Sequence, residues 1–278
     1  MDDQLHAALT LDAASAAGSP ERFGYEWQTY AELRPEYQEQ FRNWTVHLSP
    51  EEWRGKRFLD VGCGMGRNSY WPMIYGAQGG RAIDVDERSL NAARQTLASF
   101  PEVEVRHQSA YAIDGDESFD IVFSIGVIHH LEAPAKALAA MVAATKPGGK
   151  VLIWVYGQEN NGVIVRVLTP IRRLLFSRLP IGLVHHLSLY PSLAVWLALR
   201  LGLDSIEYYR LLRRLSLRHL RSIVFDQMLP RIAHYWPRET VETMMRSSGL
   251  TDIRLAWVNE MSWSAVGTKP ARAERPTP

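Results

Sequence analysis

The stretch Phe58-Leu59-Asp60-Val61-Gly62-Cys63-Gly64-Met65-Gly66-Arg67 decides the fold of this 278-residue chain. Its apolar start predicts a buried strand, and the three glycines after it predict a turn where the backbone approaches a ligand closely. A helix is expected from Arg67 or Asn68 to about Tyr75. This order places backbone N–H groups at the carboxyl end of a sheet strand, where open α/β sheets bind ligands.

The spacing of the glycines distinguishes between ligand classes. A dinucleotide site needs G-x-G-x-x-G, but Arg67 stands three residues after Gly64, and the third glycine comes one place early at Gly66. A P-loop needs G-K-[ST], which this turn lacks. The pattern D-V-G-C-G-M-G-R instead resembles the first motif of class I S-adenosylmethionine-dependent methyltransferases of the type 11-like kind. The alternative is a tight turn that binds no ligand.

The resemblance implies S-adenosylmethionine as cofactor and S-adenosylhomocysteine as product. It places Asp60 near the cofactor ammonium, makes Arg67 a candidate for its carboxylate, and puts the backbone of the turn beside its amino-acid part. The residues of the turn assigned to the cofactor are Gly62, Cys63, Gly64 and Gly66. No metal is expected.

Two further strand tips are candidate parts of the same site. Arg81 to Asp86 predicts a second strand ending in acid, and Asp84 lies about 20 residues past the glycines, where a carboxylate can bind ribose hydroxyls. Val85 adjoins it, and Asp86 is the competing candidate. At the third tip the family usually has an Asp beside the adenine amino group. Ser109 stands there instead, so its hydroxyl or the Ala110 backbone is assigned to that contact.

The fourth strand, Phe119–Ser124, precedes a phrase resembling the one where the family's cofactor methyl group meets the acceptor. Ser124 is therefore assigned to the cofactor. His129 and His130 follow and should point in different directions, so one could pack within the fold while the other acts as a general base. Tyr156, at the end of the fifth strand, is the other candidate for assisting deprotonation.

The aromatic stretch Phe23–Tyr30 precedes the first strand. Its F-G-Y-E-W phrase resembles a subset of the family from surface-polysaccharide and natural-product pathways. The rings either pack on the back of the domain or form a lid over the cofactor, in which case Trp27 contacts the cofactor and Tyr25 and Tyr30 the acceptor.

Helices alternating with strands predict a parallel, doubly wound α/β sheet. The resemblance implies a Rossmann-like sheet of seven strands with the last one antiparallel, and a helical insert between strand 5 and the last helix. The expected divisions are a flexible arm, an aromatic helical cap, the cofactor-binding core, a basic helical insert, the end of the core and a disordered tail. Their ranges are 1–22, 23–54, 55–159, 160–230, 231–269 and 270–278.

The insert 160–230 has no counterpart in the motifs. Between 163 and 222 it holds ten arginines and two acids. Arg210, Arg214, Arg218 and Arg221 predict one amphipathic helix with a basic face. Residues 179–199 carry no Asp, Glu, Lys or Arg, but His185, His186, Ser188, Pro191 and Ser192 argue against a membrane span.

Three interpretations of the insert stay open. It packs as a cap or homodimer surface, covers the substrate as a lid whose arginines meet an anionic acceptor, or touches an anionic membrane and admits a lipid-like acceptor. Asp226, His234 and Tyr235 follow the basic stretch and are candidate acceptor-binding residues.

The composition limits the class of function. A net charge of +1 gives no reason to expect a nucleic-acid partner, and the single cysteine favours a reducing compartment, so we expect a cytoplasmic protein. The acidic start, without a basic region, is not expected to be a secretory signal. The expected reaction is in-line methyl transfer to an O, N or C nucleophile of a natural-product, sugar or lipid-like small molecule. The rivals are a nicotinamide-dependent oxidoreductase, a non-catalytic cofactor-binding partner protein and a nucleic-acid methyltransferase.

Overall fold

The computed structural model describes residues 19–30, 32–162 and 164–271. Most of the predicted arm and tail lies outside these ranges. Seven strands form one sheet in the order β3-β2-β1-β4-β5-β7-β6. Their bounds are β1 Arg57–Val61, β2 Gly79–Asp84, β3 Val103–His107, β4 Phe119–Ile125, β5 Thr145–Tyr156, β6 Thr251–Val258 and β7 Ser262–Thr268.

Strands β1 to β5 are parallel, and β7 runs antiparallel to both β5 and β6. The predicted fold class is therefore confirmed. The chain moves outward from β1 to β3 and then returns to place β4 on the other side of β1. The carboxyl ends of β1 and β4 thus flank the crevice where doubly wound sheets bind ligands.

Eleven helices surround the sheet in the described part of the chain. Their bounds are α1 Pro20–Thr29, α2 Glu36–Trp44, α3 Arg67–Ile74, α4 Glu87–Thr96, α5 Pro134–Ala144, α6 Thr169–Leu174, α7 Ile181–Leu187, α8 Leu189–Arg200, α9 Glu207–Arg213, α10 Leu217–Met228 and α11 Arg238–Ser247. Short 3₁₀ turns cover Pro50–Trp53, Ile128–His130 and Phe176–Arg178, and Ile164–Leu168 is a π-helical turn.

Each face of the sheet buries its own apolar cluster. On one face, α5 and α11 contribute Leu138, Met141 and Met245. On the other face, Phe41 of α2 packs with Trp53 and with residues of α3 and α4. The aromatic N-terminal helix α2 is therefore part of the core packing.

The insert departs from the prediction at one point. The expected single basic helix is wrong, because the chain breaks into α9 and α10 around Ser216. Ser216 is extended (φ −66°, ψ 155°), and its side chain accepts a hydrogen bond from the His219 amide at 3.2 Å. A serine that caps a following helix in this way favours a new start over continuation.

Candidate cofactor and acceptor site

The glycine turn has little room for side chains. Gly62, Gly64 and Gly66 have φ of +78°, +53° and +80°, a region that glycine enters without strain. A Cβ on Gly64 would lie 2.9 Å from Nε1 of Trp27, so α1 closes over the turn. A Cβ on Gly66 would lie 3.1 Å from Cα of Ala93 in α4. Gly66, predicted to bind the cofactor, instead permits close packing of two helices.

Asp84 is held rigidly at the tip of β2. Its Oδ2 accepts from the Gly64 amide at 3.0 Å, and its Oδ1 accepts from the amides of Val85 and Asp86 at 2.8 and 3.0 Å. Asp86 instead caps α4, accepting from the amides of Arg88 and Ser89. Oδ1 thus already accepts two hydrogen bonds, while Oδ2 accepts one and keeps a lone pair for a further donor. Asp84 lines the cavity.

Asp60 lies buried beneath the turn on β1. Its Oδ2 accepts from Ser69 Oγ at 2.7 Å, while Oδ1 has no hydrogen-bond partner among the described residues. Burial raises the pKa of Asp60 to about 7, and the Ser69 hydrogen bond opposes that rise. An unpartnered buried carboxylate oxygen is costly. Asp60 is fully buried and does not line the cavity, so the structure shows no direct opening from this carboxylate to the site, and its predicted contact with the cofactor ammonium stays a prediction.

Arg67, the first residue of α3, is enclosed by three aromatic rings. Its guanidinium carbon lies 5.0 Å from the Trp27 ring, 4.7 Å from the Tyr37 ring and 5.3 Å from the Trp44 ring. These cation–π contacts fix the planar group at the cavity wall. A planar fork of N–H donors can bind a carboxylate with two hydrogen bonds.

The third strand tip differs from the prediction by one residue. Gln108 and Ala110 line the cavity, and Gln108 Oε1 is buried without a partner in the described chain. Gln108 Nε2 donates to the Ala112 carbonyl at 2.7 Å, which fixes the amide. Ser109 does not line the cavity, and its hydroxyl accepts from the Tyr111 amide at 3.2 Å. Gln108, Ser109 and Ala110 all lie in the loop after β3, so the path of that loop decides which side chains face the cavity.

Ser124 is also placed differently from the prediction. Its side chain is fully buried, and Oγ donates to the Val61 carbonyl at 2.8 Å. The hydroxyl therefore ties β4 to the end of β1 and does not line the cavity.

One cavity of about 640 Å³ joins the glycine turn to the insert. Gly64, Val85 and Cys63 line one end, and Tyr156 and Asp226 line another. Residues of the insert complete the wall, among them Leu168, Ile171, Val195 and Tyr208. A cofactor at the turn and an acceptor at Tyr156 would therefore share one enclosed space.

A chain of polar contacts forms the Tyr156 end. Tyr156 donates to Asp226 Oδ2 at 3.2 Å and accepts from Gln227 Nε2 at 2.8 Å, while Tyr235 donates to Gln227 Oε1 at 3.3 Å. The rings of Tyr156 and Tyr235 stack with centroids 5.4 Å apart. Sequence reasoning named the two tyrosines and Asp226, but it missed Gln227.

Glu26 of α1 is the most important residue missed from the sequence. It is 3% exposed, lines the cavity, and its Oε2 has no partner among the described residues. Burial, together with the nearby Asp226, raises the pKa of Glu26 well above its usual range. Burial also raises the pKa of Asp226, and side-chain hydrogen bonds with Glu26 and Tyr156, followed by the charges of Arg67 and Arg172, oppose that rise. The pair therefore favours sharing one proton over ionisation of both carboxyl groups.

Arg172 was counted among the basic residues of the insert but is fully buried. Its guanidinium donates to the Gln227 carbonyl at 3.2 Å and to Thr169 Oγ1 at 3.4 Å. It supplies a positive charge near Asp226 and thereby favours an ionised carboxylate there.

The two histidines do occupy different environments. His130 lines the cavity, and its Nδ1 donates to the Ile232 carbonyl at 2.8 Å. His129 is fully buried against the Tyr156 ring, with centroids 3.9 Å apart, and does not line the cavity. Burial lowers the pKa of His130 to about 3 and that of His129 well below its usual value. Both rings are therefore weak proton acceptors at neutral pH, which argues against the predicted role as base.

Some of the remaining residues predicted to contact the cofactor or the acceptor line the cavity, and others do not. Trp27 and Tyr30 line the cavity, as do Asp226 and Tyr235. Tyr25 instead packs edge-on against Phe225, with centroids 6.1 Å apart. His234 stacks on Trp236, with centroids 5.5 Å apart. Tyr25 therefore packs α1 against the insert, and His234 packs within the link into α11.

The sequence between β1 and β5 matches a known family. A family model described as a methyltransferase domain matches residues 59–153, which run from β1 almost to the end of β5. Residues 59–153 therefore form a class I S-adenosylmethionine-dependent methyltransferase domain.

Similar proteins agree with this family. A tRNA U34 carboxymethyltransferase of Hahella chejuensis is 32% identical over 46% of this chain and 39% of its own length. A ubiquinone biosynthesis O-methyltransferase of Albidiferax ferrireducens is 25% identical over 83% of this chain and 86% of its own length. Human N-acetylserotonin methyltransferase, solved with the cofactor, has the same fold, with a TM-score of 0.55 and 12% identity over 90% of this chain and 57% of its own.

The chain matches only part of the length of its more similar relatives. Matches above 30% identity span between 36% and 50% of the relatives that they reach. These matches cover half or less of those relatives, so the relatives' acceptors do not identify the acceptor of this chain.

The residues present fit S-adenosylmethionine. Gln108 Oε1 is a buried acceptor of a residue that lines the cavity, and the cofactor carries an adenine amino group as a donor. Asp84 also lines the cavity and can accept from a ribose hydroxyl, and Arg67 presents a fork to a carboxylate. Asp60 Oδ1 is a further buried acceptor, beneath the turn and set back from the cavity. The assignment of individual contacts stays a prediction.

Proposed function

We propose that this methyltransferase methylates a hydroxyl group of a small, largely apolar molecule that binds between Tyr156 and the insert. The observation that carries the proposal is the buried Glu26–Asp226 carboxyl pair in the same cavity as the glycine turn. A hydroxyl must lose its proton when its oxygen takes a methyl group, and a carboxylate with a raised pKa is suited to accept that proton.

The residues have separate parts in this proposal. Bound S-adenosylmethionine supplies the electrophilic methyl group. Asp226 accepts the hydroxyl proton, and Glu26 keeps its own proton because burial and the neighbouring acid raise its pKa. Tyr156 donates to Asp226 and so fixes the orientation of the carboxylate. The apolar wall excludes water, which strengthens these electrostatic interactions.

Further observations favour a small acceptor over a macromolecule. Aromatic and aliphatic residues of α1, β5 and the insert enclose the acceptor end, among them Tyr30, Trp154, Leu168 and Tyr208. The relative matched over most of its own length is named an O-methyltransferase. Transfer RNA is the other acceptor class, because several relatives are named tRNA U34 carboxymethyltransferases and the insert is rich in arginine. The absence of a metal requirement stays a prediction.

The test is formation of S-adenosylhomocysteine with three defined probes. They are a phenol with a long alkyl chain, the matching alkylbenzene without the hydroxyl, and unfractionated transfer RNA. We expect turnover with the phenol alone. Asp226→Asn should lower kcat by about a hundredfold without changing cofactor affinity, because general-base catalysis contributes on the order of 10²–10⁴.

The control is Asp252→Asn, which changes an exposed acid on β6 and should leave kcat unaltered. Turnover with transfer RNA and none with the phenol would overturn the proposed acceptor class. Cofactor binding without turnover of any probe would favour the non-catalytic partner protein.

A further inference from the structure

The segment 164–203, which we call the rim, exposes an unusual amount of apolar surface. Ten of the twelve exposed large hydrophobic residues in the described chain belong to it, with exposures between 41% and 74%. They are Val167, Ile171, Leu174, Leu175, Leu183, Tyr190, Leu193, Leu197, Leu201 and Leu203. The other two are Val46 and Ile74. Such concentration on one segment marks a surface that has a partner.

The helices α7 and α8 of the rim bury serine side chains and expose leucine side chains, which is the reverse of a helix that faces water. Ser188 and Ser192 are fully buried against the protein, whereas Leu193 and Leu197 face outward. By length and composition alone, Ile181–Arg200 could cross a membrane, and 17% of its apolar window is buried. Its inner face is anchored, however, because the Tyr30 hydroxyl meets His185 Nε2 at 3.1 Å and Arg221 donates to Ser188 Oγ at 3.2 Å. These contacts favour a helix that lies on a membrane.

The charges of the rim specify the kind of surface it would meet. Residues 160–203 contain five arginines and no Asp or Glu. Arg172 is buried, but Arg166, Arg173 and Arg178 are exposed and form no ion pair with the described residues. Exposed arginines interleaved with exposed aliphatic side chains are the pattern of an element that lies in the interface of an anionic membrane.

The rim also forms the edge of the cavity. Ile171 and Pro191 are exposed and line the cavity at the same time. Leu168, Phe176 and Val195 continue the apolar wall inward from there. A molecule dissolved in the acyl region of a membrane could therefore pass from the rim to Tyr156 without crossing water.

We propose that the rim docks on the surface of an anionic phospholipid bilayer and admits an acceptor with an apolar tail from that bilayer. The docking stands on the surface alone, while the route of the acceptor rests on the proposed function. A second copy of the chain fits less well. A two-fold contact would bring rim against rim, and like-charged arginines would then meet with no acid in the segment to offset them.

Flotation of the full chain with vesicles tests the docking without any acceptor. We expect binding to phosphatidylcholine vesicles that contain phosphatidylglycerol, weaker binding to phosphatidylcholine alone, and weakening of the former by salt. Val167→Ser with Leu174→Ser should lower binding at least about tenfold, because both side chains are more than half exposed and would enter the membrane. The matched control, Val46→Ser with Ile74→Ser, should bind as the wild type does.

The arginines are tested separately. Arg173→Gln with Arg178→Gln should lower binding to the anionic vesicles roughly fivefold for each charge removed, as expected for arginine near an anionic surface. The control, Arg42→Gln with Arg54→Gln, removes two exposed charges outside the rim and should change binding little.

Three results would overturn the docking. The first is wild-type protein that binds S-adenosylmethionine but not the anionic vesicles. The second is a concentration-dependent dimer that the rim variants dissociate, which would make the rim a subunit interface. The third is vesicle-bound protein that only detergent releases. Cofactor titration of each variant reports on the proposed function independently, so failure of one does not obscure the other.

Discussion

Asp60→Asn tests the electrostatics beneath the glycine turn. In the ligand-free protein the Asp60 pKa stands at about 7, against 3.8 for an ordinary aspartate. The folded state therefore holds a proton that the unfolded state releases between these values, and stability falls as pH rises through this window. Linkage gives a loss of roughly 3 kcal/mol between about pH 5 and 8 from this one group. The asparagine variant, which cannot ionise, should not show it.

The assay is urea unfolding of wild type and variant at both pH values without cofactor. The unfolding free energy of Asp60→Asn, minus that of wild type, should grow by roughly 3 kcal/mol from about pH 5 to 8. The family resemblance implies that the cofactor ammonium lies near Asp60, where it would favour the ionised carboxylate, so wild-type affinity for S-adenosylmethionine should rise with pH through about 7. A difference in unfolding free energy that does not change with pH would refute the reasoning.

Three shorter predictions concern the same cavity. Arg67→Lys keeps the charge but loses the planar guanidinium that three rings hold, so calorimetry should show about tenfold weaker cofactor binding. An affinity equal to that of the wild type would contradict the assignment of Arg67 to the cofactor carboxylate. Gly64→Ala and its control Gly55→Ala both place alanine at a positive φ, which should lower the unfolding free energy by about 1–2 kcal/mol. Only the Cβ at Gly64 would contact Trp27, so Gly64→Ala alone should weaken cofactor binding. Activity should fall as pH drops through the raised Asp226 pKa and stay flat above it, because the base must be ionised; a pH–rate profile with no acid limb would contradict this.

Local sequence patterns predicted the alternating strands and helices of the core and the glycine turn after β1. These follow from short segments whose geometry is set by neighbouring residues, as does the position of Asp84 at the end of β2. Arg67 was also predicted as the start of a helix. The shift from Ser109 to Gln108 shows the limit of this reasoning, because the path of the loop after β3 decides which side chain faces the cavity.

The acceptor end could not be predicted because it depends on distant contacts. Glu26 and Asp226 are 200 residues apart in sequence, and α1 and α10 bring them together only in the folded chain. Nor does composition show which arginines of the insert are buried. Arg172 is enclosed beside Asp226, while Arg173, the next residue, is exposed. Tertiary packing likewise decides that Ser192 is buried while Leu193 is exposed.

Calorimetric titration with S-adenosylmethionine and S-adenosylhomocysteine tests the central claim most directly. Wild type should bind both in the micromolar range. Asp84→Ala should lose at least roughly a hundredfold in affinity, because it removes a charged acceptor that three backbone amides orient. The exposed-site control Asp252→Ala should bind as wild type does. Wild type that binds neither ligand, or Asp84→Ala that binds both unchanged, would contradict the account.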